Sequence, residues 1–108
     1  MTYSIEIKES AWSDLKEIYN YIAGELMEPA TAKAQYLRIE KAIFSLDSMP
    51  ERCRRYEKDP WKSRNLRVMP VDNYIVFYLV DNENKTVTVI RIMYGRQNTE
   101  KELDDMER

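Results

Sequence analysis

The sequence predicts an α+β domain, in which an N-terminal helical hairpin packs on an antiparallel sheet of one N-terminal and three C-terminal strands. Three patterns lead to this prediction. Apolar residues alternate with polar ones near the N-terminus, then recur every three or four residues to about residue 46, and form short β-branched runs after residue 65. A chain of 108 residues supports one core, so residues 1–108 are expected to form a single domain.

The first strand and the hairpin follow from this periodicity. Tyr3, Ile5 and Ile7 alternate with polar residues, as in a half-buried strand. Ser10 is the predicted N-cap of the first helix, and Pro29 is the predicted first residue of the second. The apolar positions of the two helices are Trp12, Leu15, Ile18, Tyr19, Ile22 and Leu26, then Ala32, Tyr36, Ile39, Ile43 and Leu46. Their short connection predicts antiparallel packing.

The second half of the chain changes period. Residues 51–63 lack a periodic pattern and are predicted to form a loop. Leu66 and Val68 begin a strand, and "YIVFYLV" (residues 74–80) is apolar almost throughout, as expected for a strand covered on both faces. The turn "DNENK" then leads into the return strand "TVTVIRIM".

The composition excludes several classes of site. Histidine is absent and Cys53 is the only cysteine, so the common zinc sites and the Ser-His-Asp and Cys-His catalytic sites cannot form. Gly24 and Gly95 are the only glycines, which excludes a glycine-rich phosphate loop. We therefore expect no metal and no cofactor.

The location of the protein is predicted from its apolar segments and its cysteine. No run of about 18 apolar residues occurs, which excludes a transmembrane helix and a membrane partner. The N-terminus lacks the apolar stretch of a signal peptide, and a single cysteine cannot form an internal disulfide. Together these features predict a cytoplasmic protein.

Positive charge is concentrated in one segment. The chain has a net charge of −2, but residues 51–67 carry seven basic and three acidic side chains. Four of these cations are candidate nucleic-acid-binding residues: Arg54, Arg55, Lys58 and Lys62. Tyr56 and Trp61 in the same segment either stack on bases or cover the hydrophobic core.

Two pairs of residues are candidates for contacts with a phosphate group. Arg64 and Arg67 flank the start of a strand, where they either hold phosphate oxygens or form a solvated edge. Tyr94 and Arg96 follow the last strand, where the tyrosine either belongs to a site or covers the edge of the core. Gly95 between them is expected to adopt a positive φ that redirects the chain.

The C-terminal segment is acidic. Residues 99–108 are predicted to be either a solvated helix end or a disordered terminus. The sequence leaves the oligomeric state open, and a homodimer is one alternative.

Taken in order, these segments resemble the RelE/ParE superfamily of toxins from bacterial type II toxin–antitoxin modules. The resemblance covers about residues 3–98. It rests on the order of one strand, a helical hairpin and three strands. The segments that carry it are "AWSDLKEIYNYI", "PATAKAQYLRIEKAIFSLDSMPERC", "NYIVFYLVD" and "VTVIRIMYGRQN".

The resemblance implies a toxin that arrests growth unless a cognate antitoxin neutralises it, with operator DNA bound only through the antitoxin. RelE-like members are ribosome-dependent, metal-independent endoribonucleases that cut mRNA, whereas ParE-like members inhibit DNA gyrase. A third alternative is a degenerate, non-toxic member that only binds its partner.

Individual residues carry over only in part. Arg96 matches the family's arginine after the last strand, Arg64 or Arg67 falls near its basic positions, and Tyr94 lies where some relatives carry histidine or tyrosine. These four would be the catalytic residues of a RelE-like nuclease. However, Ile75 stands where RelE has a further arginine, and the C-terminal tyrosine of RelE has no counterpart. The missing arginine, the long helical hairpin and the "PATA" restart of the second helix resemble the ParE branch, so the resemblance favours ParE-like inhibition of gyrase.

Overall fold

The computed structural model describes residues 2–96 and 99–106, which form a four-stranded sheet with helices on both faces. In chain order the elements are β1 (Ser4–Ile7), α1 (Glu9–Asn20), a π-helical turn (Tyr21–Glu25), α2 (Pro29–Phe44), 3₁₀ turns (Ser45–Asp47 and Pro50–Arg52), β2 (Leu66–Val71), β3 (Tyr74–Asp81), β4 (Thr86–Tyr94) and α3 (Thr99–Asp105). No helix within these residues is long and apolar enough to cross a membrane.

The helical hairpin is antiparallel, as predicted. The rings of Tyr19 on α1 and Tyr36 on α2 meet edge to face with centroids 6.2 Å apart. Pro29 occupies the first turn of α2, which confirms its predicted role. The prediction for Ser10 is wrong, because α1 begins at Glu9 and the Ser10 hydroxyl instead donates to the carbonyl oxygen of Ile90 at 2.6 Å. Ser10 thus joins α1 to the sheet.

The sheet is mixed, which corrects the prediction of an antiparallel sheet. Its strand order is β1-β4-β3-β2, and β1 pairs with β4 in parallel. The reason lies in the hairpin, which returns the chain to the end of the sheet where β1 begins. There the backbone N–H of Tyr3 donates to the carbonyl oxygen of Asp47 at 2.9 Å. Strand β2 therefore starts from the same end as β1, and two tight turns then make β4 run in that direction too.

Both faces of the sheet are covered, as the almost entirely apolar sequence of β3 predicted. Val76, Tyr78 and Val80 of β3 face a cluster shared with the hairpin residues Leu15 and Ile39. The opposite face carries a second cluster, made of Trp61, Leu66, Val68, Phe77, Ile90, Met93 and Leu103.

A β-bulge in β4 shifts the alternation of its side chains. Across β3, Ile90 is an extra residue between two paired positions. Val89 and Ile92 therefore both face the hairpin, whereas Ile90 lies in the second cluster. Simple alternation along the strand predicts that Tyr94 shares a face with Ile90 and Ile92, and this prediction is wrong for Ile90 because the bulge separates it from the other two.

The acidic tail is ordered as far as the structure describes it. Residues 99–105 form α3, which agrees with a helix end rather than a disordered terminus. The helix is more than a solvated end, because Leu103 is fully buried in the second cluster. Residues 107 and 108, and residues 97 and 98 of the last quoted segment, lie outside the described residues.

Candidate functional site

Arg67 holds the loop after the hairpin against β2. Its guanidinium donates to the carboxylate of Glu51 at 3.1 Å, to the carbonyl oxygen of Cys53 at 3.0 Å and to the Asn65 side chain at 3.0 Å. Only 13% of its side chain is exposed. Arg67 faces away from Leu66 and Val68, which lie in the second cluster, and its donors are already used by the protein.

Glu51 is the centre of this network. Its carboxylate accepts hydrogen bonds from Asn65 at 2.8 Å and from Asn82 at 3.2 Å, in addition to that from Arg67. The hydrogen bond from Asn65 is the largest cause that lowers the pKa of Glu51. The hydrogen bond from Asn82 and the charge of Arg67 lower it further. Glu51 therefore stays ionised and neutralises Arg67 locally.

The aromatic residues of the basic segment belong to the core. Trp61 is buried in the second cluster, and Tyr56 packs against Phe77 with ring centroids 6.4 Å apart. This confirms the alternative in which they cover the core, and it leaves neither ring presented as a platform for bases. The guanidinium of Arg64 lies over the outer side of Trp61, 5.2 Å from the ring centroid.

The remaining cations form a surface at the edge of β2. Residues 54 and 55 are extended, and the backbone of Arg55 forms a short antiparallel β-bridge with that of Arg67. Lys58 binds the carboxylate of Glu100 at 2.7 Å. We call the exposed side chains of this surface the basic edge: Arg54, Arg55, Lys58, Lys62 and Arg64.

Tyr94 and Arg96 lie at the other end of the sheet. The ring of Tyr94 meets that of Tyr74 on β3 edge to face, with centroids 5.8 Å apart. The predicted positive φ at Gly95 is wrong. Glycine is instead suited to this position by a close approach, since a Cβ there would lie 3.3 Å from the carbonyl oxygen of Asn73, which also accepts the Gly95 N–H at 2.9 Å.

The structure does not bring the four candidate catalytic residues together. Arg67 pairs with Tyr78 and Tyr94 pairs with Tyr74. These positions are four residues apart along β3, or roughly 13 Å, and β2 and β4 are separated by about two strand spacings of 4.8 Å. Arg64 and Arg96 lie beyond the pairs, in opposite directions. One phosphate group cannot contact all four side chains in this conformation.

A groove opens between the tip of the hairpin and the end of the sheet that carries Tyr94. Its volume is about 830 Å³. Its walls combine apolar, phenolic and acidic side chains, among them Ile18, Ile22, Leu26, Tyr21, Tyr74, Tyr94, Glu17 and Glu28. Burial, followed by the neighbouring Tyr94 and Tyr21, raises the pKa of the Tyr74 phenol, which therefore stays a neutral hydrogen-bond donor.

This groove was not predicted from the sequence. Its hairpin wall is shaped by the π-helical turn at Tyr21–Glu25, which has no local sequence signature. The sequence feature that could have indicated the groove is the group of apolar residues near the short connection between the two helices. Tyr21, Leu26 and Met27 are all exposed, and Met27 is 81% exposed.

An ion pair closes the floor of the groove. Strand β1 ends before β4 does, and the carboxylate of Asp14 takes the vacant place beside β4. It accepts from Arg91 Nε at 2.7 Å and Nη2 at 2.9 Å, and from the backbone N–H of Ile92 at 2.8 Å. The Asp14 hydrogen bond is the largest cause that raises the pKa of Arg91, which also binds Glu102 at 3.2 Å.

The described residues were compared with the ligand sets that bind metal ions. Within residues 2–96 and 99–106, no group of three or more His, Cys, Asp or Glu side chains is placed to hold a metal ion.

The chain matches one protein family over residues 5–99, described as "ParE toxin of type II toxin-antitoxin system, parDE". Comparison with curated protein sequences gives no significant match.

Several solved structures share the fold. The chain is similar to a structure titled "Chromosomal ParDE TA system from P. aeruginosa", with 19% identity, a TM-score of 0.71, and 86% of this chain and 96% of that chain covered. It is also similar to the RelBE2 toxin–antitoxin complex from Mycobacterium tuberculosis, with 18% identity, a TM-score of 0.63, and 87% and 99% of the two chains covered. A mutant of E. coli RelE in the free state gives 15% identity, a TM-score of 0.62, and 94% and 93% coverage.

Proposed function

The chain belongs to the ParE toxin family of type II toxin–antitoxin systems, and we propose that it arrests growth by inhibiting DNA gyrase when its cognate antitoxin does not neutralise it. In this account the target is bound rather than cleaved. The arginines near the start of β2 then serve structure and binding, not bond breaking.

The observation that favours this proposal is the separation of the four candidate catalytic residues. Cleavage of RNA by attack of a 2′-hydroxyl needs cations close to the phosphate oxygens, where charge develops. Arg67 is held by Glu51 and lies at the opposite end of the sheet from Tyr94 and Arg96. The geometry therefore supports a binding protein better than a nuclease.

One observation supports the alternative, a ribosome-dependent mRNA interferase. Tyr94 and Arg96 are both exposed, lie two residues apart and border shallow concave surfaces at the end of the sheet. Such a pair provides one cation and one phenol for a phosphate group supplied by a bound ribosome complex. The RelE structures to which the fold is similar give this alternative its weight.

The groove is the proposed docking place for the antitoxin. It combines apolar contact area from Ile18, Ile22 and Leu26 with the phenols of Tyr21 and Tyr74, a mixture typical of peptide-binding surfaces. Exposed Met27 extends the apolar area past the hairpin tip. An amphipathic antitoxin segment laid along this groove would cover these side chains.

Controlled expression without the antitoxin distinguishes the alternatives. The proposal predicts growth arrest with loss of gyrase supercoiling activity in the same cells' extracts and no new 5′ ends in the mRNA. New 5′ ends at codon positions with supercoiling intact would establish the interferase instead. Normal growth, with folded protein present, would leave a non-toxic binding protein.

Of the candidate arginines, Arg96 is a better position than Arg67 for a substitution that distinguishes an interferase from a gyrase inhibitor. In an interferase, Arg96→Ala removes a transition-state contact worth about 2.7–4 kcal/mol, so mRNA cleavage would fall by about two to three orders of magnitude. Arg67→Ala is a poor probe, because it also breaks the contacts to Glu51 and Cys53 and so alters the fold.

A further inference from the structure

We propose that the basic edge binds the phosphate backbone of duplex DNA, so that the toxin contacts gyrase and the DNA that gyrase holds at the same time. The choice of DNA over RNA rests on the proposed function. The assignment of a phosphate-binding surface rests on three features: its exposed cations, its ordered backbone and the burial of its aromatic rings in the core.

Three cations of the basic edge are available for phosphate contacts. Within the part of the chain that the structure describes, Arg54, Arg55 and Lys62 are exposed and form no salt bridge. The nearby Asp59 carboxylate is engaged, since it accepts hydrogen bonds from the backbone N–H of Ser63 at 3.0 Å and from its hydroxyl at 2.5 Å. Glu57 is the remaining exposed acid of the segment.

The two arginines flank the edge of the sheet. Their segment pairs with β2, where the backbone N–H of Val68 donates to the carbonyl oxygen of Arg54 at 3.1 Å. Successive side chains of an extended segment point to opposite sides, so Arg54 and Arg55 place one cation on each side of the edge. A duplex laid along the edge can therefore meet both.

The rest of the surface is ordered before any ligand binds. Trp61 anchors the turn in the second cluster, and the backbone N–H of Lys62 donates to the carbonyl oxygen of Lys58 at 2.9 Å. Tyr56 is tied to β2 by a hydrogen bond of 2.8 Å from its N–H to the Leu66 carbonyl oxygen. Binding thus costs little backbone ordering, since only long side chains remain to be fixed.

The surface lacks the features that select single strands. Proteins that bind single-stranded nucleic acid stack bases on exposed aromatic rings. Here Trp61 is buried and Tyr56 packs on Phe77. Cations without a stacking platform are typical of contacts to the phosphate backbone, which do not read sequence.

Helix α3 limits the strength of this binding. Glu100 binds Lys58 at 2.7 Å, and its hydrogen bond and charge, with a smaller effect from the charge of Asp104, raise the pKa of Lys58. These carboxylates border the basic edge and compete with phosphate groups for its cations. Removing the charge of Glu100 is therefore expected to strengthen DNA binding.

The test is the salt dependence of binding to a fluorescein-labelled 24-base-pair duplex of arbitrary sequence. The variant Arg54→Gln/Arg55→Gln/Lys62→Gln is compared with Lys16→Gln/Lys33→Gln/Lys41→Gln, which changes the net charge equally on exposed helix positions. We expect the first variant to lower the slope of log K against log salt by about three, because each phosphate contact contributes roughly 0.9. The second variant should leave the slope near that of the wild type.

Three results would overturn the proposal: no binding of the wild type to the duplex at low salt, equal loss in both triple variants, or tighter binding to single-stranded RNA of the same length. Glu100→Gln should raise the affinity for the duplex, and an unchanged affinity would contradict the competing role of α3. Gyrase inhibition is measured on the same variants. Inhibition by a wild type that does not bind DNA would reject this inference alone, whereas DNA binding without inhibition would reject the proposed target.

Discussion

Asp14 shows how one side chain can replace a missing strand. Beyond the end of β1, the edge of β4 would expose an unpaired N–H at Ile92 and a half-buried guanidinium at Arg91. The Asp14 carboxylate satisfies both, and the Asp14 and Arg91 side chains are only 11% and 16% exposed. A carboxylate early in a helix also interacts favourably with the helix dipole, but the contacts of Asp14 to β4 are the stronger interaction.

Asp14→Ala should therefore destabilise the protein strongly. The substitution leaves the Ile92 N–H unpaired and Arg91 with only Glu102, so the free energy of unfolding should fall by about 3 kcal/mol. Urea denaturation measures it. Lys58→Ala is the control, since its solvent-exposed pair with Glu100 should contribute little to stability. Similar losses in both variants would contradict the assigned role of Asp14.

Glu51 predicts a specific dependence of stability on pH. Its pKa is lower in the folded state than the ordinary value of 4.5. A carboxyl group with a lowered pKa stabilises the fold above its unfolded pKa, and this contribution is lost as the pH falls through the folded value. Between about pH 5 and pH 3, Glu51→Gln should therefore lose less stability than the wild type. If the urea midpoints of the two proteins fall by the same amount across this range, Glu51 does not contribute this pH-dependent stability.

At the scale of elements, the apolar pattern predicted which segments form helices and strands, because the hairpin buries a regular stripe and β3 is apolar on both faces. It failed where a single contact overrides the period. The extra residue Ile90 shifts the later side chains of β4, and Ser10 binds the Ile90 carbonyl oxygen instead of capping α1. The parallel pairing of β1 depends on where the hairpin ends, which no local pattern encodes.

Helix α3 is predicted to be part of the cooperative fold. Leu103 is fully buried against the second cluster, so Leu103→Ala should lower the free energy of unfolding by about 2–3 kcal/mol. The same change at Leu37, which is exposed on α2, should cost under about 0.5 kcal/mol. Denaturant unfolding followed by circular dichroism makes the comparison. A loss at Leu103 no larger than that at Leu37 would mean that α3 does not stabilise the sheet.

For the whole molecule, charge is separated between the two ends of the sheet. The basic edge lies where β2 begins, and the groove with Glu17 and Glu28 lies where β4 ends. The clustering of cations in residues 51–67 was readable from the sequence. The local pairing of Arg67 with Glu51 was also predictable, because both lie in this segment. The pairing of Lys58 with Glu100 was not, because Glu100 comes from the distant C-terminal helix.

The candidate site was likewise only half predictable. The sequence identified Tyr94 and Arg96 as candidate site residues, because they follow the last strand. It left Trp61 as either a stacking ring or a cover for the core, because the residue lies in a loop. The distance from Arg67 to Tyr94 depends on the register of three strands. That register depends on a bulge with no signature of its own, so the separation that argues against a nuclease emerges only in three dimensions.

The most direct test of gyrase inhibition is a supercoiling assay with purified toxin, purified gyrase, ATP and relaxed plasmid. We expect that the toxin inhibits supercoiling and that prior addition of its antitoxin restores it. Full supercoiling in the presence of excess folded toxin would show that gyrase is not the target. Cleavage of mRNA on purified ribosomes by the same preparation would then assign the protein to the interferase branch.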